Sequence, residues 1–338
     1  MKRLLIWIFG VGALGGIAWG GGAMVSETAA TRWLDDRQAD GWVAEVSDIS
    51  VSGFPLQFVT ELQNLELADP ETGLAWSVAS LEFRQDVLRL DRIEARWPAV
   101  QVIASPYERL NVSDLGAEGL HLQAALDVQP TNRFALDALH ADTGPLQVSS
   151  SDGWQTQWEQ GSLILTRVAG TETTYDIMAL ATAMTPPEAW RTRLDPAGVL
   201  PAIMDRAEVQ VTATFDAPWD MDAIEVARPQ FTALQIDEVS MRWGDMLFRA
   251  TGTLDVTAGG VPEGELAVRA ENWRAMVDLA SNAGVVPERL RGTAEAMLEV
   301  LAGLSGSEEN IDATLSFSNG RVFVGPLPIG PAPSLRLR

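Results

Sequence analysis

Apolar and polar residues follow one another in three different rhythms along this chain. From Leu4 to Val25 there is no alternation: 22 residues carry no charge, directly after Lys2 and Arg3. A helix of that length reaches about 33 Å at ~1.5 Å per residue, enough for a hydrocarbon core of ~30 Å. The two cations belong on the cytoplasmic side, so everything after Val25 is expected across the membrane. The same stretch also has the basic start, apolar centre and small-residue exit of a cleaved signal peptide. Apolar character persists through Ile17, Ala18, Trp19, Met24 and Val25, which favours a retained anchor over residues 1–25. Export follows in either case. Gly12, Gly16 and Gly20 recur every four residues, near one helix face, where small residues allow close packing of membrane helices.

A second rhythm covers Ser26 to Asp40, which reads as a helical spacer over 26–41. Ser26 and Thr28 suit its start, and Gly41 suits its end.

From Trp42 the period becomes two. Val43 to Val46 and Ile49 to Val51 alternate, and Pro55 belongs at a strand start or an edge. Leu62, Leu65 and Leu67 lead into Asp69-Pro70-Glu71-Thr72-Gly73, a tight-turn composition, and Leu74 to Phe83 returns. Leu88, Leu90, Ile93, Ala95 and Trp97 continue the pattern. So do Leu120 to Val128, Leu163 and Leu165, Val209 to Phe215, Leu266 to Ala270 and Ile311 to Phe317. One apolar and one polar face is the signature of antiparallel sheet with a single buried side. Asp152-Gly153 and Asn319-Gly320 are dipeptides that two-residue hairpins favour. The expected fold is mainly β: an N-terminal membrane helix, then an elongated, curved antiparallel meander over 42–338. A loose recurrence of strand, turn, tryptophan and strand at 65–83, 146–166 and 234–256, with Trp76, Trp154 and Trp243, suggests internal duplication.

Helices interrupt the meander twice. Pro187 to Arg206 carries Trp190, Leu194, Val199 and Ile203 but is broken by Pro196 and Pro201, which predicts short helical pieces. The insert 271–304 predicts two helices. Trp273, Met276, Val277 and Ala280 stripe the first, which ends near Gly284. Pro287 opens the second, which carries Leu290, Ala294, Met297, Leu298 and Leu301. Such stripes must cover apolar surface, most simply one side of the sheet.

Composition narrows the function classes. Formal charge is −22 over 338 residues, and Lys2 is the only lysine. That field repels phosphate backbones, so nucleic acid is excluded as a partner. With no cysteine there is no disulfide, thiol nucleophile, thiolate metal site or acylated lipoprotein anchor. His121 and His140 each fall in phase with strand alternation and are read as structural. No zinc, P-loop, dinucleotide or nucleophile-elbow motif is present. Asp220-Met221-Asp222 with Glu225 opens like a calcium loop but lacks the third oxygen ligand, the glycine and the closing glutamate. Glu308-Glu309 and Asp35-Asp36 read as solvated charge. The sequence therefore designates no catalytic, cofactor-binding or metal-binding residue, and the chain reads as non-enzymatic.

Two segments carry a resemblance. Ser52-Gly53-Phe54-Pro55-Leu56-Gln57-Phe58, Leu67-Ala68-Asp69-Pro70 and Gly73-Leu74-Ala75-Trp76 resemble the front of an uncharacterised alphaproteobacterial family, domain of unknown function 2125. Trp97-Pro98-Ala99-Val100-Gln101 resembles a further patch, with Ala99-Val100 departing from the usual Pro-Glu. Phe317-Ser318-Asn319-Gly320 and the proline-rich stretch Gly325 to Pro333 resemble its C-terminal signature. The resemblance implies a membrane-anchored periplasmic protein and brings no activity with it. A more distant likeness is to AsmA-like envelope proteins, which also follow one anchor with long β-sheet. The expected setting is the inner membrane in a single pass, N-terminus cytoplasmic and bulk periplasmic. Two functions fit it: a sheet trough that binds or passes lipid, or an assembly factor that acts on other envelope proteins.

Overall fold

The computed structural model describes residues 23–53, 57–116, 119, 121–284, 288–304, 307–325 and 327–337. Most of the expected membrane span, with Gly12, Gly16 and Gly20, lies outside the described residues. Among the described residues no helix is long and apolar enough to cross a membrane. The protein is mainly β, and its helices are few. The chain divides into two compact units: Met1–Arg167 with Pro218–Arg228 and Arg338, and Val168–Ala217 with Pro229–Leu337.

The first unit opens with α1 (Ala23–Ala39). Gly41, at φ +85°, ends it: Trp42 N–H reaches back to Arg37 O and Gly41 N–H to Gln38 O, a Schellman cap. The helix buries Ala30 and Leu34 and packs on the first strands. Those strands are β1 (Val43–Glu45), β2 (Asp48–Ser52), β3 (Gln57–Asp69) and β4 (Leu74–Asp86). The chain continues through β5 (Arg89–Pro98), β6 (Gln101–Ala104), β7 (Arg109–Asp114) and β8 (His121–Gln129). It ends with β9 (Ala135–Thr143), β10 (Leu146–Ser150), β11 (Gln155–Trp158) and β12 (Gln160–Arg167).

These short strands pair as broken halves of longer ones. β1 and β2 both lie against β3, β5 and β6 against β4, and β7 and β8 against β6 and β5. β9 and β10 then pair with β8 and β7, and β12 and β11 with β9 and β10. The breaks align. Ser47, Ala99-Val100, Gly144-Pro145 and Glu159 separate successive strands, and the pairing of β3 with β4 skips Asn64 and Ala79, so a crease crosses the sheet. Asn64 stands on it at φ +51° and its side-chain amide donates to Ser47 Oγ at 3.0 Å. Asparagine tolerates that left-handed conformation better than most residues. On both sides of the crease the same face is buried: Leu65, Leu67, Trp76 and Val78 on one, Leu62, Leu81, Phe83, Ile93 and Leu126 on the other. Trp76 Nε1–H donates to the buried Gln101 Oε1 at 2.6 Å, so these two polar groups of the core satisfy each other.

The second unit is a meander without a crease. β13 (Thr174–Met184) leads through α2 (Glu188–Leu194) to β14 (Met204–Phe215). After β14 the chain makes one helical turn, α3 (Met221–Glu225), which belongs to the first unit: Met221 N–H donates to Arg133 O and Leu136 N–H to Trp219 O. Back in the second unit, β15 (Phe231–Trp243), β16 (Met246–Val256) and β17 (Pro262–Glu271) follow. Helices α4 (Trp273–Asn282) and α5 (Glu288–Leu304) precede β18 (Asn310–Ser318), β19 (Arg321–Val324) and β20 (Leu327–Pro331). Each strand from β13 to β20 pairs antiparallel with the next.

Three expectations need correcting. Asn319 and Gly320, at φ +52° and +71°, do form a two-residue turn between Ser318 and Arg321. Asp152-Gly153 does not: the loop spans three residues, closed by Ser150 N–H on Trp154 O, with Gly153 alone at positive φ. The recurrence also dissolves. Trp76 lies inside β4 after its turn, Trp154 in a loop and Trp243 at the end of β15 before its turn, so the tryptophans are not equivalent. Finally, Val199 and Ile203 belong to a loop and not to a helical piece, because α2 ends at Leu194 before Pro196.

Candidate functional site

The strands of the second unit place one aliphatic face in register across six partners. Ile177, Val211, Ile236, Gly252, Leu266 and Leu315 form one row. Ala179, Val209, Val239, Ala250, Val268 and Ala313 form the next. Apart from Ala250, which is buried, the side chains of these rows are only half-buried. By contrast, the core face of the first unit is buried. From β13 to β18 the face runs about 24 Å at ~4.8 Å per strand.

Within the unit, cover is confined to the strand ends. At one end α4 and α5 bury Trp273, Val277 and Ala302 against Ile311, with Ala270 and Ala313 packed alongside. Next to them Met204, Trp243 and Met246 form a second buried cluster with Met184, Met241 and Met276. Methionine fills irregular space without demanding one shape, which suits a junction of helix and strand ends. Trp190 of α2 stacks on Trp243, centroids 6.4 Å apart and planes 9° off parallel. Trp243 Nε1–H donates to Pro201 O at 2.8 Å.

The opposite end is closed by aromatics and by the C-terminal segment. Tyr175 meets Phe215 edge-on at 6.0 Å, and Phe215 meets Phe231 at 4.9 Å. Leu335 N–H donates to Gly260 O at 2.8 Å, and Leu337 N–H to Gln230 Oε1 at 2.9 Å. The site is therefore a strip of aliphatic surface between two rims.

The other face of the same sheet is polar. Arg249 and Arg269 lie opposite each other, and Glu238 stands 3.6 Å from Arg249 while Glu271 stands 3.4 Å from Arg269. These two arginines, with Thr251, Asp312 and Thr314, line an open depression of about 420 Å³. Gln210 and then Arg206 donate to Glu208 and hold its carboxyl below the ordinary carboxylate range, with burial opposing them.

The residues singled out for chemistry do not converge. His121 and His140 are both exposed on the polar face of the first unit. His140 stands opposite Ala125, four residues along β8 from His121, or about 13 Å. His140 Nε2 contacts Asp142 at 3.1 Å. Asp220 caps α3 by accepting from the N–H groups of Asp222 and Ala223, and Asp222 pairs with Arg133. The backbone carbonyl of Glu308 accepts from Trp273 Nε1 and Arg274 Nη1. Among the described residues no cluster of acidic or histidine side chains could hold a metal ion.

The strips of Val and Leu were visible in the sequence as strands, whereas their partial exposure and the two rims were not. A period of two shows that one face is apolar but not whether anything covers it. No curated protein and no solved structure matches the chain. The family model described as "Uncharacterized protein conserved in bacteria (DUF2125)" matches residues 19–333, and the chain belongs to that family.

Proposed function

We propose that this protein is a membrane-tethered envelope protein that holds lipid acyl chains on the aliphatic face of its second unit. The observation that carries the reading is the pair of rows headed by Ile177 and Ala179, half-buried except for Ala250, of which the helical cluster at the strand ends reaches only Ala313 among the described residues. Valine, leucine, isoleucine, alanine and glycine offer dispersion contact and no directional bond. Protein partners are usually gripped by Trp, Tyr and Arg anchors, and these rows contain none. An acyl chain needs only a dry surface, and each methylene buried contributes about 0.8 kcal/mol. The uncharged stretch Leu4 to Val25 behind Lys2 and Arg3 supports attachment to a membrane in a single pass, with the two units on the far side. The role is that of a binder and carrier; it calls for no catalytic group or cofactor.

A photoreactive benzophenone side chain at position 211 or 266 in the full chain, irradiated in intact cells, tests this. Phospholipid adducts at both positions, and none from position 251 on the polar face, are expected. Absence of lipid adducts from 211 and 266, or equal yield from 251, would overturn the proposal.

A further inference from the structure

At the helical rim of the second unit, residues 195–203 connect α2 to β14 and carry apolar side chains outward. Val199 is 80 % exposed, Ile203 48 % and Trp190 on α2 46 %. The loop is pinned in place. Asp195 Oδ2 accepts Leu200 N–H at 2.6 Å, Asn282 Nδ2 donates to Leu194 O at 2.7 Å, and Trp243 Nε1 donates to Pro201 O. Leu194 is buried and Leu200 packs into the methionine cluster, so the turn between them presents Val199 to solvent. A backbone held this firmly cannot fold these groups away, and clustered apolar exposure marks an interaction site.

The aspartates around the loop face the backbone, and three arginines stand free of carboxylates. Asp195 and Asp205 direct their carboxylates to backbone N–H groups, those of Leu200 and Gly244. Arg191, Arg193 and Arg242 have no carboxylate partner among the described residues. The segments 187–206 and 240–247 carry four arginines and four carboxylates, so this rim is neutral in a chain of net charge −22 and repels anionic lipid less than the chain as a whole.

We propose that the loop 195–203 docks on a lipid bilayer surface. Val199 and Ile203 enter the acyl region, the exposed edge of Trp190 lies at headgroup level, and Arg191 and Arg193 meet anionic headgroup phosphates. Tryptophan favours that interface. Binding of this kind adds buried apolar area to attraction of basic residues for anionic lipid. A lipid surface fits better than a protein because the tip is Pro196-Ala197-Gly198-Val199, with no polar side chain to direct a partner. The inference does not depend on lipid binding to the aliphatic face, although a rim set in the bilayer would put that face within reach of acyl chains.

The absence of native cysteine allows a single probe site. An environment-sensitive NBD label at Val199→Cys, Ile203→Cys or Thr251→Cys would be read in the full chain, reconstituted in phosphatidylethanolamine–phosphatidylglycerol vesicles containing spin-labelled phospholipid. Labels at 199 and 203 are expected to be quenched at least threefold more than the label at 251. Arg191→Glu with Arg193→Glu is expected to cut the excess quenching by half or more, with near-ultraviolet circular dichroism unchanged. Equal quenching at 199, 203 and 251 would overturn the proposal. A blue shift at 199 without quenching would also overturn it, since that is burial against protein. Unchanged quenching in the double arginine variant would remove the headgroup contact. Benzophenone adducts at 211 and 266 read a different surface, so failure of either experiment leaves the other informative.

Discussion

Gly252 and Gly264 exclude side chains reciprocally. A Cβ added at Gly252 would lie 2.2 Å from Glu265 O, and one at Gly264 would lie 2.3 Å from Thr253 O. Their φ angles, +148° and +142°, lie in the region open chiefly to glycine. Two such residues on neighbouring strands let the backbones of β16 and β17 approach closely where both cross the aliphatic face. Gly252→Ala and Gly264→Ala are each expected to destabilise the second unit by roughly 2–4 kcal/mol, from backbone strain and overpacking together. Because one distortion relieves both clashes, the double variant should lose less than the sum. Urea unfolding of the four chains measures the coupling; strict additivity would show that the two positions act independently.

Trp243 is the hinge of the helical rim. It is 1 % exposed, stacks on Trp190 and donates to Pro201 O. Trp243→Phe keeps an aromatic ring but loses the donor, an expected cost of about 1 kcal/mol. Trp243→Ala removes the ring as well and is expected to cost about 3–5 kcal/mol. Both should loosen the loop 195–203 before the sheet melts, so limited proteolysis near Val199 ought to quicken in both. Cleavage at the wild-type rate in Trp243→Phe would mean that the Pro201 contact does not hold the loop.

The sequence made some of this legible, for physical reasons that also set the limit. Val209, Val211, Leu266 and Val268 alternate with polar neighbours, and they do lie on one face of paired strands. The stripes of 271–304 correctly implied helices covering apolar surface, because Trp273 and Val277 are buried against Ile311. The crease in the first unit left only a slip of phase, Leu62 and Leu65 both buried three residues apart with Asn64 at φ +51° between them, which a period of two alone does not interpret. The apolar residues of 187–206 misled: Val199 and Ile203 read as parts of short helical pieces, and they lie instead in an exposed loop that contains Pro196 and Pro201. Composition reports that a residue is apolar; only the path of the chain decides whether it meets the core or the solvent.

Asp69 tests a turn that was legible. It is 3 % exposed, its Oδ1 accepts Glu71 N–H at 2.9 Å, and its Oδ2 accepts the Thr72 hydroxyl at 2.6 Å. Gly73 closes the turn at φ +65°, its N–H on Asp69 O at 2.7 Å. Asp69→Ala leaves these donors unmatched and is expected to cost about 1–3 kcal/mol. Asp69→Asn keeps Oδ1, and its amide can donate to the Thr72 hydroxyl oxygen, so it should cost less than half as much. Equal losses in the two variants, measured by urea unfolding, would point to the charge and away from the hydrogen bonds.

Glu208 gives the second unit a specific acid sensitivity. Gln210 Nε2–H at 2.7 Å and Arg206 Nε–H at 2.9 Å favour its charged form, so its folded-state pKa is depressed from 4.5. A depressed carboxyl stabilises the fold above its unfolded pKa, and that contribution fades as pH falls through the lower folded value. Glu208→Gln should therefore cost up to about 1 kcal/mol at neutral pH, the scale of a part-exposed ion pair. The gap between wild type and variant should begin to narrow near pH 4.5 and close only below the lower folded value, where both side chains are neutral. High salt should narrow the neutral-pH gap by screening Arg206, while leaving the Gln210 hydrogen bond in place. Urea midpoints for both chains across the acid range decide it: a gap that persists undiminished in acid would assign the effect to packing and not to charge.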